Sequence, residues 1–197
     1  MNATADRILD AGQELIQTGG FSAMSFQDIA SEVGIRKPSI IHHFATKAEL
    51  GVAIIRRYRD TFAAQLQQIS EDPAKSSWDA LEFYFSPYLF LASTPDKVCL
   101  CGALAGEIPV LPEVMRVEVK QFIEAHQRWL EEILREGVER GELVLIDSPQ
   151  SLSRVIFNSL QGSLLVRRST GDVSQLKEII NAMRKLVKSE SSIQQIR

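Results

Sequence analysis

Three histidines and two cysteines in 197 residues leave little material for a metal centre or a thiol framework. Cys99 and Cys101 stand two apart, a spacing that resists pairing on a helix because the side chains point to nearly opposite sides, so reduced thiols are expected. No apolar run reaches the ~18 residues of a candidate membrane span. The opening MNATADR also lacks the apolar stretch of a secretory leader, and a soluble cytoplasmic protein is expected. Nor is positive charge in excess. With 22 Lys and Arg against 25 Asp and Glu the chain carries −3 and a pI near 5.7, so any contact with nucleic acid has to be focused rather than spread over the surface. A Gly-rich phosphate loop, an HExxH pair and a GxSxG turn are all missing, and the histidines do not fall in a catalytic order with Ser, Cys and Asp. No enzyme, cofactor or metal is expected.

What is there is a patterned stretch from Ser25 to Leu50, SFQDIASEVGIRKPSIIHHFATKAEL. Ser25 and Asp28 have the spacing with which a hydroxyl and a carboxylate satisfy the first free amides of a helix. Ile29, Ala30 and Val33 give that helix one apolar side, and Gly34 falls where a left-handed exit is needed. Lys37-Pro38 opens a second helix to about Phe44. Thr46 with Glu49 repeats the capping pattern and launches a third. From Val33 to Ala48 there are Arg36, Lys37, His42, His43 and Lys47 and no acid, although the first 57 residues balance, six basic against six acidic. Two short helices joined through a Gly turn, the second rich in donors, is how a recognition helix is set into a major groove. On the turn alone, a helix-turn-helix without nucleic acid stays open.

The longer segment RILDAGQELIQTGGFSAMSFQDIASEVGIRKPSIIHHFATKAELGVAII resembles the DNA-binding domain of the TetR/AcrR family of transcriptional regulators. The likeness covers about the first quarter of the chain. It rests on Gly19-Gly20-Phe21, Ser25, Ile29-Ala30, Val33-Gly34-Ile35, His43-Phe44, Lys47 and Leu50. One departure is Ile41, in or beside a place where the family usually offers a polar ring. The resemblance implies an all-α fold, with a three-helix DNA-binding domain over residues 1–50 and a helical ligand-binding and dimerisation domain over 51–197. It implies a homodimeric repressor on a pseudopalindromic double-stranded operator, released by a small, largely apolar effector. Arg36, Lys37, Ser39 and His42 are then the candidates for base contacts, and His43, Thr46 and Lys47 for phosphates, with Ser25 at the head of the first reader helix. His43 has the alternative of packing inside the domain.

Ahead of this stretch a helix over about Ala3–Thr18 carries Ile8, Ala11 and Leu15 at helical spacing, and Phe21 and Phe26 should plug the three-helix core. After it a long helix runs from Thr46 to about Ser70, with Ile55, Tyr58, Phe62, Leu66 and Ile69 on one face. Residues 71–77 read as a linker. WDALEFYFSPYLFLAS then holds six aromatics, too many for one face, and Pro87 frees a carbonyl near Phe83. Two readings are open: a packed aromatic core, or the wall of an apolar effector pocket that draws on Phe62, Tyr84, Phe85, Tyr88, Cys101, Phe122 and His126. A further alternative makes Cys99 or Cys101 an electrophile or oxidant sensor. A metal site from the two cysteines and His126 lacks the spaced ligands of structural zinc.

The longest helix is expected over Glu113–Arg140, with His126 on its buried stripe as a satisfied core group or an effector contact. Gly141 ends it and Ser148-Pro149 opens the next. That helix, about 149–169, is apolar around much of its girth, and a last one over 173–188 adds Leu176, Ile179, Ile180 and Met183. A paired interface is expected from Leu152, Val155, Ile156, Ser159, Leu160, Ser163 and Leu164 on the first, with Ile179, Ile180 and Met183 on the second. The tail from Ser189 to Arg197 is polar and expected to fray.

Overall fold

The computed structural model describes residues 3–189, so the polar tail from residue 190 on lies outside the described residues. In chain order the elements are α1 (Ala3–Gly19), α2 (Phe26–Val33), α3 (Lys37–His43), α4 (Lys47–Glu71), α5 (Ser77–Ser93), α6 (Leu100–Gly106), a 3-10 turn at Ile108–Val110, α7 (Glu113–Glu139), β1 (Leu143–Leu145), α8 (Pro149–Thr170), α9 (Ser174–Leu186) and β2 (Val187–Ser189). The fold is all-α in class. Among the described residues no helix is long and apolar enough to cross a membrane. One short ribbon is added: β1 and β2 pair antiparallel, Leu143 opposite Ser189 and Leu145 opposite Val187. The last helix therefore stops at Leu186 rather than continuing through Lys188. Val187 leaves it to pair with Leu145 and is buried there, an arrangement that suits a β-branched side chain better than another helical turn.

The described chain divides into two compact units. One holds the residues up to Thr61 together with Asp96–Phe122; the other holds Phe62–Pro95 and the residues from Ile123 onward. The long helices α4 and α7 each supply residues to both.

In the first unit the reader is built as its capping residues dictate. Ser25 Oγ accepts from the Asp28 N–H at 3.2 Å while Asp28 Oδ2 accepts from the Ser25 N–H at 3.0 Å, so two orphan amides at the start of α2 are satisfied reciprocally. Gly34 ends α2 at φ +73°, and its N–H returns to the Ala30 carbonyl. The second capping pattern differs slightly from expectation. Thr46 Oγ1 accepts from Glu49 N–H, but Glu49 reaches back to the N–H of Ala45 rather than Thr46, and α4 begins at Lys47. Ile8, Ile16, Ile29, Ile40, Leu50 and Ile54 fill the core, each fully buried. At ~1.5 to 3 kcal/mol per buried side chain of this size, that core outweighs any single cap. Phe21 is buried as expected; Phe26 and Leu15 are half-buried. The buried carboxylate of Glu118 on α7 binds two arginines of α4: Arg56 Nη2 at 2.6 Å and Arg59 Nη1 at 2.7 Å.

In the second unit α5 also starts from a capping box. Ser76 and Asp79 exchange the same pair of bonds as Ser25 and Asp28. Pro87 lies inside α5, and the Phe83 carbonyl it frees accepts the hydroxyl of Ser86 at 2.7 Å. That carbonyl thus has a partner within its own helix. Ser148 caps α8 through the Ser151 N–H at 3.1 Å, with Pro149 in the first turn, and Gly171 closes it at φ +75°. Arg184 on α9 grips Glu82 on α5 with two bonds of 2.7 and 2.6 Å.

Candidate nucleic-acid interface and aromatic cluster

α3 is seven residues long and has no side-chain cap, so its orientation depends on what it buries. Ile40 does this alone, at 0% exposure, while Arg36, Lys37, Ile41 and His42 are exposed and Ser39 and His43 half-buried. The polar residues therefore occupy the outer side by elimination. His43 stands between the rings of His42 at 5.6 Å and Phe44 at 6.5 Å, intermediate between packing and solvent. Ser25 is spent as a helix cap, its hydroxyl accepting from the Asp28 N–H and donating to Asp28 Oδ2, whereas the Thr46 hydroxyl accepts from the Glu49 N–H and keeps its own hydrogen to donate. Ile41 is 44% exposed, so the apolar departure sits on the surface rather than in the core.

Lys47 is less free than a phosphate-seeking side chain at a helix start would be. Its Nζ donates to the Ser22 carbonyl at 3.2 Å and lies 4.5 Å over the Phe21 ring. Partial burial lowers its pKa, opposed by the nearby carboxylates of Glu107 and Asp28.

The effector candidates are shared between the two compact units. Tyr84, Tyr88 and His126 form a linked group in the second unit with Phe62. The Tyr84 hydroxyl is 2.9 Å from His126 Nδ1 and 3.5 Å from the Tyr88 hydroxyl, which accepts from Gln161 Nε2 at 3.1 Å. Trp129 stacks on Tyr84 at 5.4 Å and 17°, and Phe62 and Phe157 flank His126 at 5.8 and 5.9 Å. Burial lowers the His126 pKa to about 4, so the ring is neutral at pH 7. Gln161 keeps its amide oxygen buried with no hydrogen-bond partner. Trp129, Phe157 and Gln161 were missed as members. Trp129 sits one helical turn after His126 on α7, whereas Phe157 and Gln161 lie on α8, which supplied no effector candidate, and nothing in their own spacing singles them out. Phe85 is buried and takes no part in these ring contacts.

Cys101 and Phe122 fall in the first unit. There Tyr58 packs on Phe122 at 5.7 Å and donates to Cys99 Sγ at 3.7 Å. Burial pushes the Cys101 thiol and the Tyr58 phenol well above their ordinary pKa values, and the neighbouring Cys99 adds to both shifts. An open groove of about 560 Å³ at Arg135, Val138, Glu139, Leu143, Val144, Leu145, Asp147 and Pro149 contains none of the effector candidates.

Of the interface candidates, Leu152, Ile156, Leu160, Ser163, Leu164, Ile180 and Met183 are buried within the chain itself, while Val155 is exposed and Ser159 and Ile179 are half-buried. The apolar girth that reads as two faces is mostly one deep face turned into the second unit.

Residues 8–54 match the model of bacterial regulatory proteins of the tetR family, and residues 85–183 match that of the tetracyclin repressor-like C-terminal domain. A TetR transcriptional regulator of Legionella pneumophila superposes with a TM-score of 0.87 at 32% identity, over 95% of this chain and 99% of that one. The transcriptional regulator AcuR of Cereibacter sphaeroides is 26% identical over 160 residues, 80% of this chain and 73% of that protein. The reduced form of Escherichia coli NemR shares the fold, with a TM-score of 0.84 at 20% identity over 95% of this chain and 98% of that one. With an exposed donor face on a short second helix, a Gly-turned helix-turn-helix and both domain models matched in order, the chain belongs to the tetR family and is a DNA-binding transcriptional regulator.

Proposed function

We propose that the protein is a repressor that holds a pseudopalindromic operator as a homodimer and leaves it when a small, largely apolar effector binds. The outer side of α3 carries this reading: Arg36, Lys37 and His42 are exposed while Ile40 is buried, and no acid lies between Val33 and Ala48. Arg36 and Lys37 have the donors that match guanine O6 and N7, with Ser39 and His42 as adjacent readers. Thr46, Lys47 and the free amides at the start of α4 hold phosphates, and His43 assists from its half-buried position. That the E. coli relative NemR is described as a transcriptional repressor supports repression here.

Dimerisation uses the strips of α8 and α9 that the chain leaves uncovered. On α8, Val155, Ser159, Gly162 and Val166 are open or half-open at helical steps, and Gln175, Ile179, Ala182 and Leu186 repeat the pattern on α9. Small residues at 159 and 162 allow two helices to approach closely, and a Cβ at Gly162 would meet nothing within 4 Å. Effector binding belongs to the cluster of Phe62, Tyr84, Tyr88, Trp129, His126 and Gln161. Its histidine is neutral and its rings stack, which favours an uncharged, ring-bearing guest. α4 is one helix of 25 residues with Lys47 at its start and Phe62 further along, so a guest that displaces Phe62 acts on the reader through α4. A coupling of ~1 to 3 kcal/mol is sufficient for such release.

The test is selection of duplexes from a random-sequence pool followed by anisotropy titration. Arg36→Ala and Lys37→Ala each should weaken the selected duplex by ~10-fold or more. Failure to enrich any sequence would sink the reading.

A second reading makes the release thiol-driven. It is favoured by the contact between Tyr58 and Cys99 and by the likeness to a protein described in a reduced form. The raised pKa of Cys101 argues against that residue and leaves Cys99 to act. Unaltered operator release by N-ethylmaleimide in Cys99→Ser would exclude it.

A further inference from the structure

Within the first unit, the chain is fastened to α1 just before α6 and to the turn that follows α1 just after it. Before α6, Gln17 Nε2 donates to the Val98 carbonyl at 3.0 Å and the Val98 N–H returns to the Gln17 carbonyl at 3.2 Å. Lys97 pairs with Glu14 beside them. After α6, the Glu107 carboxylate closes on the turn between α1 and α2. Its Oε1 accepts the Phe21 N–H at 2.8 Å, and its Oε2 accepts the Ser22 N–H at 2.8 Å together with the Ser22 hydroxyl.

The turn is shaped for this anion. Gly20 at φ +90° turns the next two N–H groups toward one point, a small backbone nest of the kind that holds negative charge. A Cβ at Gly20 would collide with Glu107 Oε1, so glycine is needed both for the backbone and for the approach. Lys47 completes the arrangement from the reader side, bound to the carbonyl of the same Ser22 and stacked on the ring of the same Phe21. Three residues after Ser22 comes Ser25, the cap on which α2 begins.

We propose that Glu107 is a positioning residue for operator reading. Its carboxylate fixes the Phe21–Ser22 turn, and the turn fixes Lys47 at the first residue of α4 and the entry to α2, so the end of α6 reaches the reader through this turn and not along the length of α4. The idea rests on the family's DNA binding, but not on the effector site proposed above. It also has an unusual sign. Neutralising a carboxylate close to a DNA-binding face should tighten binding if charge alone matters. If the carboxylate positions the reader, neutralising it weakens binding.

The experiment compares Glu107→Gln with the wild type on a duplex that the wild type selects from a random pool, across a salt series. It adds hydrogen exchange of the Phe21 and Ser22 amides in the free protein. The expected result is ~10-fold weaker binding at every salt, as suits the loss of charge-assisted hydrogen bonds, with an unchanged salt slope and faster exchange at both amides. Binding that is tighter, or within twofold of wild type, overturns the proposal. Ser22→Ala, which removes one of the three bonds, guards against a Glu107 variant that fails to fold. It should weaken binding ~3-fold in the wild-type background, and less in the Glu107→Gln background where that variant folds. No loss in Ser22→Ala, or an equal loss in both backgrounds, also overturns it.

Discussion

The hydroxyl of Tyr84 lies 2.9 Å from Nδ1 of His126, and both side chains are buried among rings. Burial lowers the histidine's pKa to about 4, against ~6.5 in an unfolded chain. Above about pH 6.5 both states are neutral at this site and the full stability is present. As the pH falls toward 4 the unfolded chain takes up a proton that the folded one refuses, so stability is lost with acidification, on the order of 3 kcal/mol at the lower end. Urea midpoints at pH 7.5, 5.5 and 4.5 should fall more steeply in the wild type than in His126→Gln. Parallel curves would mean that the ring ionises freely in the fold.

The reader's local chemistry makes a second prediction. Ser25→Ala removes one half of the α2 capping box and should cost about 1 kcal/mol in denaturant unfolding. Gly34→Ala meets no atom within 4 Å, so its cost, again about 1 kcal/mol, is backbone strain at φ +73° alone. A neutral Gly34→Ala would contradict the left-handed turn.

The two sides of α8 should respond differently. Leu160 is fully buried in the chain, so Leu160→Ala should destabilise the protomer by ~2 to 5 kcal/mol. Gly162→Arg places a charge on the uncovered strip and should leave protomer unfolding within ~1 kcal/mol of wild type while shifting sedimentation to the monomer. A dimer that survives Gly162→Arg would move the interface elsewhere.

Lys47→Ala should flatten the salt slope of operator binding by about one unit, because one phosphate contact releases about one counterion. The bonds of Lys47 to Ser22 and Phe21 add a structural loss that appears as weaker binding at all salts. A weaker but equally steep line assigns Lys47 to positioning alone.

Much of the reader was legible because its signals are local. Ser25 with Asp28, Gly34 and Pro38 each act within four residues, and all three sit where their chemistry requires. The partners of distant residues were not legible. Glu107 meets Phe21 and Ser22 across more than eighty positions, and no periodicity records that meeting. The ribbon of β1 and β2 escaped because three-residue strands at the end of a helix give no period of their own. On α8, an apolar pattern all round the helix did not reveal that Leu160 and Leu164 face inward while Val155 and Val166 face out.

Two α3 helices of a homodimer are proposed to read one operator. Hydroxyl-radical footprinting on the selected duplex tests it most directly. Two symmetry-related protected half-sites are expected, with centres ~34 to 36 Å apart, both lost together in Lys37→Ala. A single protected half-site, or a footprint that Lys37→Ala leaves intact, would contradict it.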